Sequence, residues 1–90
     1  MYNDLFSFYR SKEWESLRKT ITLERVDQNG DLLCEYCHKP IVHPYDAICH
    51  HKVELDETNV HDATIALNPD NIMVVHHRCH NKIHDRFQGA

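Results

Sequence analysis

The chain has 90 residues, enough for one domain but near the low end of what folds alone, where a modest core normally needs a metal, disulfides or a partner. A formal net charge of -4 counts against a strong nonspecific grip on DNA, because counterion release needs clustered Lys and Arg. Four cysteines and nine histidines make metal the first candidate for outside help.

Met1-Tyr2-Asn3-Asp4 is polar and acidic where a secretory signal needs a basic start and a long apolar run, so a reducing compartment is expected. There a Cys-x-x-Cys reads as a zinc knuckle or a redox pair rather than part of a disulfide framework. No run approaches the roughly 20 apolar residues of a membrane span, and a soluble protein is expected. Residues 11–26 read as a helix, with Ser11 as N-cap and Trp14, Leu17 and Ile21 on one face. Leu5, Phe6, Phe8 and Tyr9 precede it and can pack on the same core. The opposite face carries Lys12, Arg18, Lys19 and Arg25 among glutamates and is expected to be a solvated face rather than a DNA contact. Asp27-Gln28-Asn29-Gly30-Asp31, with Asn-Gly at its centre, predicts a chain reversal.

Leu32-Leu33 leads into Cys34-Glu35-Tyr36-Cys37 and a loop bounded by Pro40 and Pro44. A short strand is expected over 47–53, then a long polar connection over 54–69 with no clear period. Ile72 to Val75 reads as a second strand, followed by a helix from about His77 to Phe87 that ends near Gly89. The expected class is α+β within one domain of 1–90: a helical part over 1–30, then a knuckle and a ββα unit over 31–90. Arg10, Lys12, Arg18, Lys19 and Arg25 lie early, and Arg78, Lys82 and Arg86 late. Between Lys52 and Arg78 the chain has no Lys or Arg but carries Glu54, Asp56, Glu57, Asp62 and Asp70, so this stretch should face away from a polyanion.

A structural zinc site takes four ligands in a tetrahedron, commonly delivered as two close pairs. Cys34 and Cys37 form one pair, and His76 and Cys79, with the same spacing, form the other. Together they would close a loop of about forty residues and supply stability that chain length withholds. Cys49, alone in the first strand beside His50, is the alternative to His76. No βαβ pattern surrounds Cys34 and Cys37, which weakens a redox role. The other histidines suggest a second centre. His80 and His84 are four apart in the expected last helix and project from one face. His50 and His51 are strand neighbours whose side chains point to opposite sides. One can bind an ion while the other stays free, as a hydrolytic centre with an uncoordinated base requires. Singly, a helical histidine pair or a His-His dipeptide is more often plain surface; both beside a knuckle whose Cys79 directly precedes His80 are harder to dismiss.

With these residues in place the chain resembles the HNH endonucleases of the ββα-metal group, of phage and prophage type with a zinc knuckle, over essentially its whole length. Phe8-Tyr9-Arg10-Ser11-Lys12-Glu13-Trp14-Glu15-Ser16-Leu17-Arg18 resembles their N-terminal helix, and Cys34-Glu35-Tyr36-Cys37 their first zinc pair. The second pair, normally Cys-x-x-Cys then His, reads here His76-His77-Arg78-Cys79-His80, so His76 departs from the usual cysteine. The resemblance implies a small zinc-stabilised ββα-metal fold with an added N-terminal helix. It makes His50 a metal ligand and His51 the general base, as in the colicin nucleases, with Asn71 bracing the loop that holds the base. His80 and His84 complete the ligand set. The implied activity is metal-dependent DNA hydrolysis, by nicking or double-strand cleavage, leaving 5'-phosphate and 3'-hydroxyl ends. The implied cofactors are a structural zinc and a catalytic Mg, Mn, Ni or Zn ion. Arg78 and Lys82 on the last helix are candidates for phosphate contacts. The implied partners are DNA and terminase or another phage protein, in the cytoplasm of a bacterial host, with the chain a monomer or a dimer. The rival readings are a noncatalytic zinc module that binds nucleic acid or protein, and a purely structural domain with zinc in both clusters.

Overall fold

A computed structural model describes residues 4–88 of the chain. Helix α1 (Leu5–Tyr9) starts at Asp4, whose carboxylate accepts the Ser7 N–H at 2.8 Å. Helix α2 (Lys12–Glu24) starts at Ser11. The Ser11 hydroxyl oxygen accepts from Trp14 N at 3.2 Å and donates to the Phe8 carbonyl at 2.6 Å, so one residue caps α2 and ties it to α1. The segment of Leu5 to Tyr9, expected only to pack, is thus a helix of its own, and of its aromatic residues Phe8 alone is fully buried. Helix α2 stops short of Val26 because Val26 leaves to bridge Leu32 across the expected reversal. Asp27 holds that turn by accepting from Asn29 N and Asp31 N, and Gly30 takes a φ of +83° that a side chain would resist.

Strand β1 (Ala47–His51) and strand β2 (Ile72–His76) form an antiparallel pair in the register Ala47 to His76 through His51 to Ile72. The first strand ends two residues before its expected limit of Val53, whose N–H goes to the Asn71 side chain at 2.9 Å instead of a ladder partner. Helix α4 (His77–Gln88) follows β2 without a loop, and the Asp46 carboxylate accepts the His77 N–H at 3.0 Å. The expected helix end near Gly89 lies outside the described residues.

The connection read as structureless is ordered by local side-chain bonds. Asp56 accepts from Thr58 N and Asn59 N, Asp62 from Thr64 N, and Asn68 from Asp70 N, each turning the chain. Between them run a short helix, α3 (Ala63–Ala66), and a 3-10 turn at Pro69–Asn71. Leu55, Val60 and Ala66 are buried from this stretch, five or six residues apart, a spacing that matches neither a strand nor a helix period. The core joins Phe8, Trp14 and Ile21 of the helices to Val60, Ala66, Ile72, Val74 and Val75, and continues to Cys34, Cys79 and Ile83. No helix among the described residues is long and apolar enough to cross a membrane.

Arg25 corrects the expectation of a uniformly solvated basic face on α2. Its guanidinium donates to Ile72 O at 2.6 Å, to Pro69 O at 2.7 Å and to Glu35 Oε2 at 2.8 Å. The same Glu35 oxygen accepts from Val74 N at 2.6 Å. A planar fork with several fixed donors can serve two carbonyls and a carboxylate together, which an ammonium cannot do with the same geometry. The Arg25–Glu35 pair therefore fastens the end of α2 and the Cys34–Cys37 turn to the free edge of β2. Arg25→Ala should lower stability by about 2–3 kcal/mol, and Arg25→Lys should recover less than half of that; urea unfolding curves of the three proteins measure both.

Candidate functional site

Two groups of metal-ligating side chains converge among the described residues: Cys34, Cys37, His76 and Cys79, and His50, His80 and His84. Within each group the ligand atoms all lie within 4.8 Å of one another. The first is built by a tight turn. His38 N donates to Cys34 O at 2.8 Å, and His38 takes a φ of 64°, so the chain doubles back after Cys37. This knuckle meets the junction of β2 and α4, where His76 ends the strand and Cys79 faces inward from the first helical turn.

The donor chemistry fits zinc. Ligands about 2.3 Å from a tetrahedral ion sit roughly 3.8 Å apart. Here Cys37 Sγ and Cys79 Sγ lie 3.3 and 4.0 Å from His76 Nδ1. His76 Nε2 donates to the Pro40 carbonyl at 3.1 Å, which leaves the Nδ1 lone pair toward the sulfurs, the usual arrangement around a ligating histidine. Burial pushes the Cys34 thiol up, but backbone N–H groups of Cys37, His76 and Tyr36 outweigh it and leave the thiol below its ordinary range. The Lys39 backbone N–H lowers Cys37. Burial and the two neighbouring sulfurs raise Cys79. A cation among them would reverse that last effect. The structure gathers His76 here and not Cys49, which stays in β1 opposite Val74 with its thiol raised by burial.

The second group stands on the other side of the same junction. His80 and His84, one turn apart on α4, face each other with 3.0 Å between their Nε2 atoms. The His50 ring lies 5.1 and 5.6 Å from theirs, centroid to centroid. Three nitrogens within this span suit one cation, since ligands about 2.1 Å from an ion lie roughly 3.0 Å apart at adjacent octahedral positions. Burial, and then the neighbouring imidazoles, push His50 down to about 4, while burial followed by His84 and His77 lowers His80. Neutral imidazole is the form that ligates a metal.

His51 points to the opposite side of β1, as strand alternation requires, and is buried. Its Nε2 donates to the Ala66 carbonyl at 2.9 Å, so the Nδ1 lone pair is left for another proton. Burial lowers its pKa, against the hydrogen bond to Ala66. The indole of Trp14 stacks on its ring at 4.8 Å and 25°. Asn71 binds the surrounding chain: its side-chain oxygen accepts from Val53 N at 2.9 Å, its Nδ2 donates to Ile65 O at 2.9 Å, and its carbonyl accepts from Lys52 N at 2.7 Å. It thereby joins the residues after His51 to the helix whose Ala66 holds the His51 ring.

His50, His51, His80 and His84 line one cavity of about 450 Å3, together with Tyr9, Trp14, Arg18, Cys49 and Glu54. Arg18 and Glu54, both exposed, border this cavity as well. Arg78 and Lys82 are exposed on α4 but do not line it. A larger cavity, about 570 Å3, opens between α2 and the loop at Pro40 to Pro44, and its lining contains neither ligand group. Sequence reasoning missed the Trp14 stack, the Ala66 carbonyl and Arg18 as parts of the site. The advance signals were the resemblance of the Phe8–Arg18 segment to the family's N-terminal helix, which assigns Trp14 and Arg18 no role, and their helical spacing, which equally describes a core face and a solvent face.

A family model described as HNH endonuclease matches residues 28–86. A protein of Lactococcus phage SK1 named "Probable HNH endonuclease" is 36% identical over 75 residues, which span 83% of this chain and 72% of that one. No solved structure matches the chain.

Because the knuckle group closes the fold, removing its metal should abolish the cooperative thermal transition, and Cys79→Ser should do the same. Cys49→Ser should leave both the transition and the zinc content by elemental analysis unchanged. Loss of zinc from the Cys49→Ser protein would reassign the fourth ligand.

Proposed function

The chain belongs to the HNH endonuclease family, and on that premise we propose that it is a metal-dependent DNA endonuclease in which His51 is the general base. The observation that carries this reading is the division of adjacent strand residues: His50 joins His80 and His84, while His51 is held off them with one ring nitrogen committed to Ala66. A base needs a lone pair aimed at water and a neutral resting state. The donation from Nε2 to Ala66 O leaves Nδ1 for the proton, and burial disfavours prior protonation. Asn71 supports the base indirectly by tying Val53 to Ile65 around it.

A divalent cation held by His50, His80 and His84 would supply Lewis acidity where charge grows on the phosphate and the leaving 3' oxygen. Three neutral ligands leave the charge of such a cation uncompensated until the phosphate arrives, an attraction that partly offsets the net -4 of the chain. Mg, Mn, Ni and Zn are the candidate ions, and imidazole favours Ni and Zn. Arg18 on the cavity wall is the side chain we assign to a backbone phosphate of the DNA. The phage origin of the relative supports a phage setting, whereas work beside terminase rests on family resemblance alone.

Plasmid nicking with each of the four ions tests the reading. His51→Ala should reduce kcat by roughly 10²–10⁴ while zinc content and melting temperature stay unchanged. A wild type that never cuts would leave the chain a noncatalytic zinc module, and a folded His51→Ala protein that cuts equally fast would remove His51 as the base. Arg18→Ala should raise KM with kcat unchanged and make the dependence of log K on log salt shallower by about 1.

A further inference from the structure

We infer that Trp14 is a positioning residue for the His51 base, so that the α1–α2 pair, which precedes the segment matched by the family model, forms part of the catalytic centre. The inference rests on the nuclease reading of His51. The matched segment begins at residue 28, yet the His51 ring is packed by aromatic residues from before it. Trp14 lies on its face at 4.8 Å and 25°, and the rings of Phe8 and Tyr9 stand edge-to-face with it at centroid distances of 6.1 and 6.2 Å.

One hydrogen bond cannot orient an imidazole. Fixing Nε2 on Ala66 O still lets the ring swing about that atom, and the Nδ1 lone pair swings with it. A flat partner against the ring face removes the swing, because tilting the imidazole would either lift it from the indole or drive it into the indole. The tolerance for a catalytic group is small, on the order of 10–20°. Trp14 is able to act as that wall because it is itself held. Its backbone N–H donates to the Ser11 hydroxyl at 3.2 Å, which fixes the start of the helix that carries it, and its ring packs against Phe8 at 5.4 Å and Tyr9 at 5.6 Å. It is 4% exposed, so solvent does not compete for its face. Trp14 also lines the cavity that contains His50, His80 and His84, which puts the stack at the site rather than elsewhere in the core.

The bland alternative is that Trp14 is merely a large core residue whose neighbour happens to be a histidine. The two readings part on flatness against bulk. Trp14→Phe keeps a flat face; Trp14→Leu keeps apolar volume and loses it. With zinc-loaded protein and plasmid DNA, at a temperature where each variant is folded, Trp14→Leu should lower kcat at least about tenfold with KM and zinc content unchanged, and Trp14→Phe should stay within about threefold of wild type. In a His51→Ala background, Trp14→Leu should have no further effect on the residual rate, since the base it positions is gone. Trp14 is the one tryptophan of the chain, so its emission should change in folded His51→Ala protein. Undiminished kcat in folded Trp14→Leu, an equal loss in both Trp14 variants, an additive loss beyond His51→Ala, or unchanged emission would each overturn the positioning role while leaving wild-type cutting intact. Absence of cutting by wild type would instead remove the nuclease reading, and this inference with it.

Discussion

The structure depends on the convergence of Cys34, Cys37, His76 and Cys79 at the junction between β2 and α4. A chain this short has little apolar volume to hold a two-stranded sheet against helices, and the four ligands sit where the knuckle, the strand end and the helix start must meet. Cys79 immediately precedes His80, so whatever fixes the first turn of α4 also fixes the direction in which His80 and His84 project. His50 lies three register positions along β1 from Ala47, the partner of His76, and the ladder carries the alignment across the sheet. The Arg25–Glu35 clamp serves the same joint from the helical side by occupying backbone groups at the edge of β2. Structural and candidate catalytic groups are thus two ends of one rigid unit.

Both imidazoles that matter most use the same device. His76 and His51 each donate Nε2–H to a backbone carbonyl, of Pro40 and Ala66 respectively, and so present Nδ1 as a lone pair. What differs is the company of that lone pair. His76 Nδ1 faces sulfurs and fits a metal, whereas His51, facing the other way along β1 from its neighbour in sequence, does not join the converging His50, His80 and His84 group. The backbone hydrogen bonds thereby favour the proposed division between ligand and base, and Asn71 supports it by tying Val53, after β1, to Ile65 in the helix of Ala66.

Charge is arranged locally rather than globally. The chain is acidic in sum, and its acidic connection even brings Glu54 to the rim of the cavity, but the same cavity is lined by His50, His80 and His84 with Arg18 on the wall. Burial and neighbouring imidazoles lower the pKa of both His50 and His80, which favours the form that binds a cation and, through it, a phosphate. Some of the basic surface elsewhere has local employment: Arg25 is a structural clamp and Lys19 pairs with Glu15.

The amino-acid sequence by itself determined what short-range rules can reach. Two Cys/His pairs with equal gaps, a helical His80–His84 pair, the alternation of His50 and His51, the Ser11 cap and the Asn29-Gly30 turn are all set by neighbours within about four residues, where strand and helix geometry is nearly invariant. The connection over 54–69 escaped those rules, because Asp56, Asp62 and Asn68 organise it through side-chain bonds to backbone that carry no hydrophobic period. Only the tertiary structure decided the rest: that Arg25 reaches Pro69 and Ile72, more than forty residues on, that Arg18 and Glu54 border one cavity, and that the indole of Trp14 lies flat on the ring of His51. These contacts join residues whose spacing along the chain carries no signal, since their proximity comes from how the helices close over the sheet.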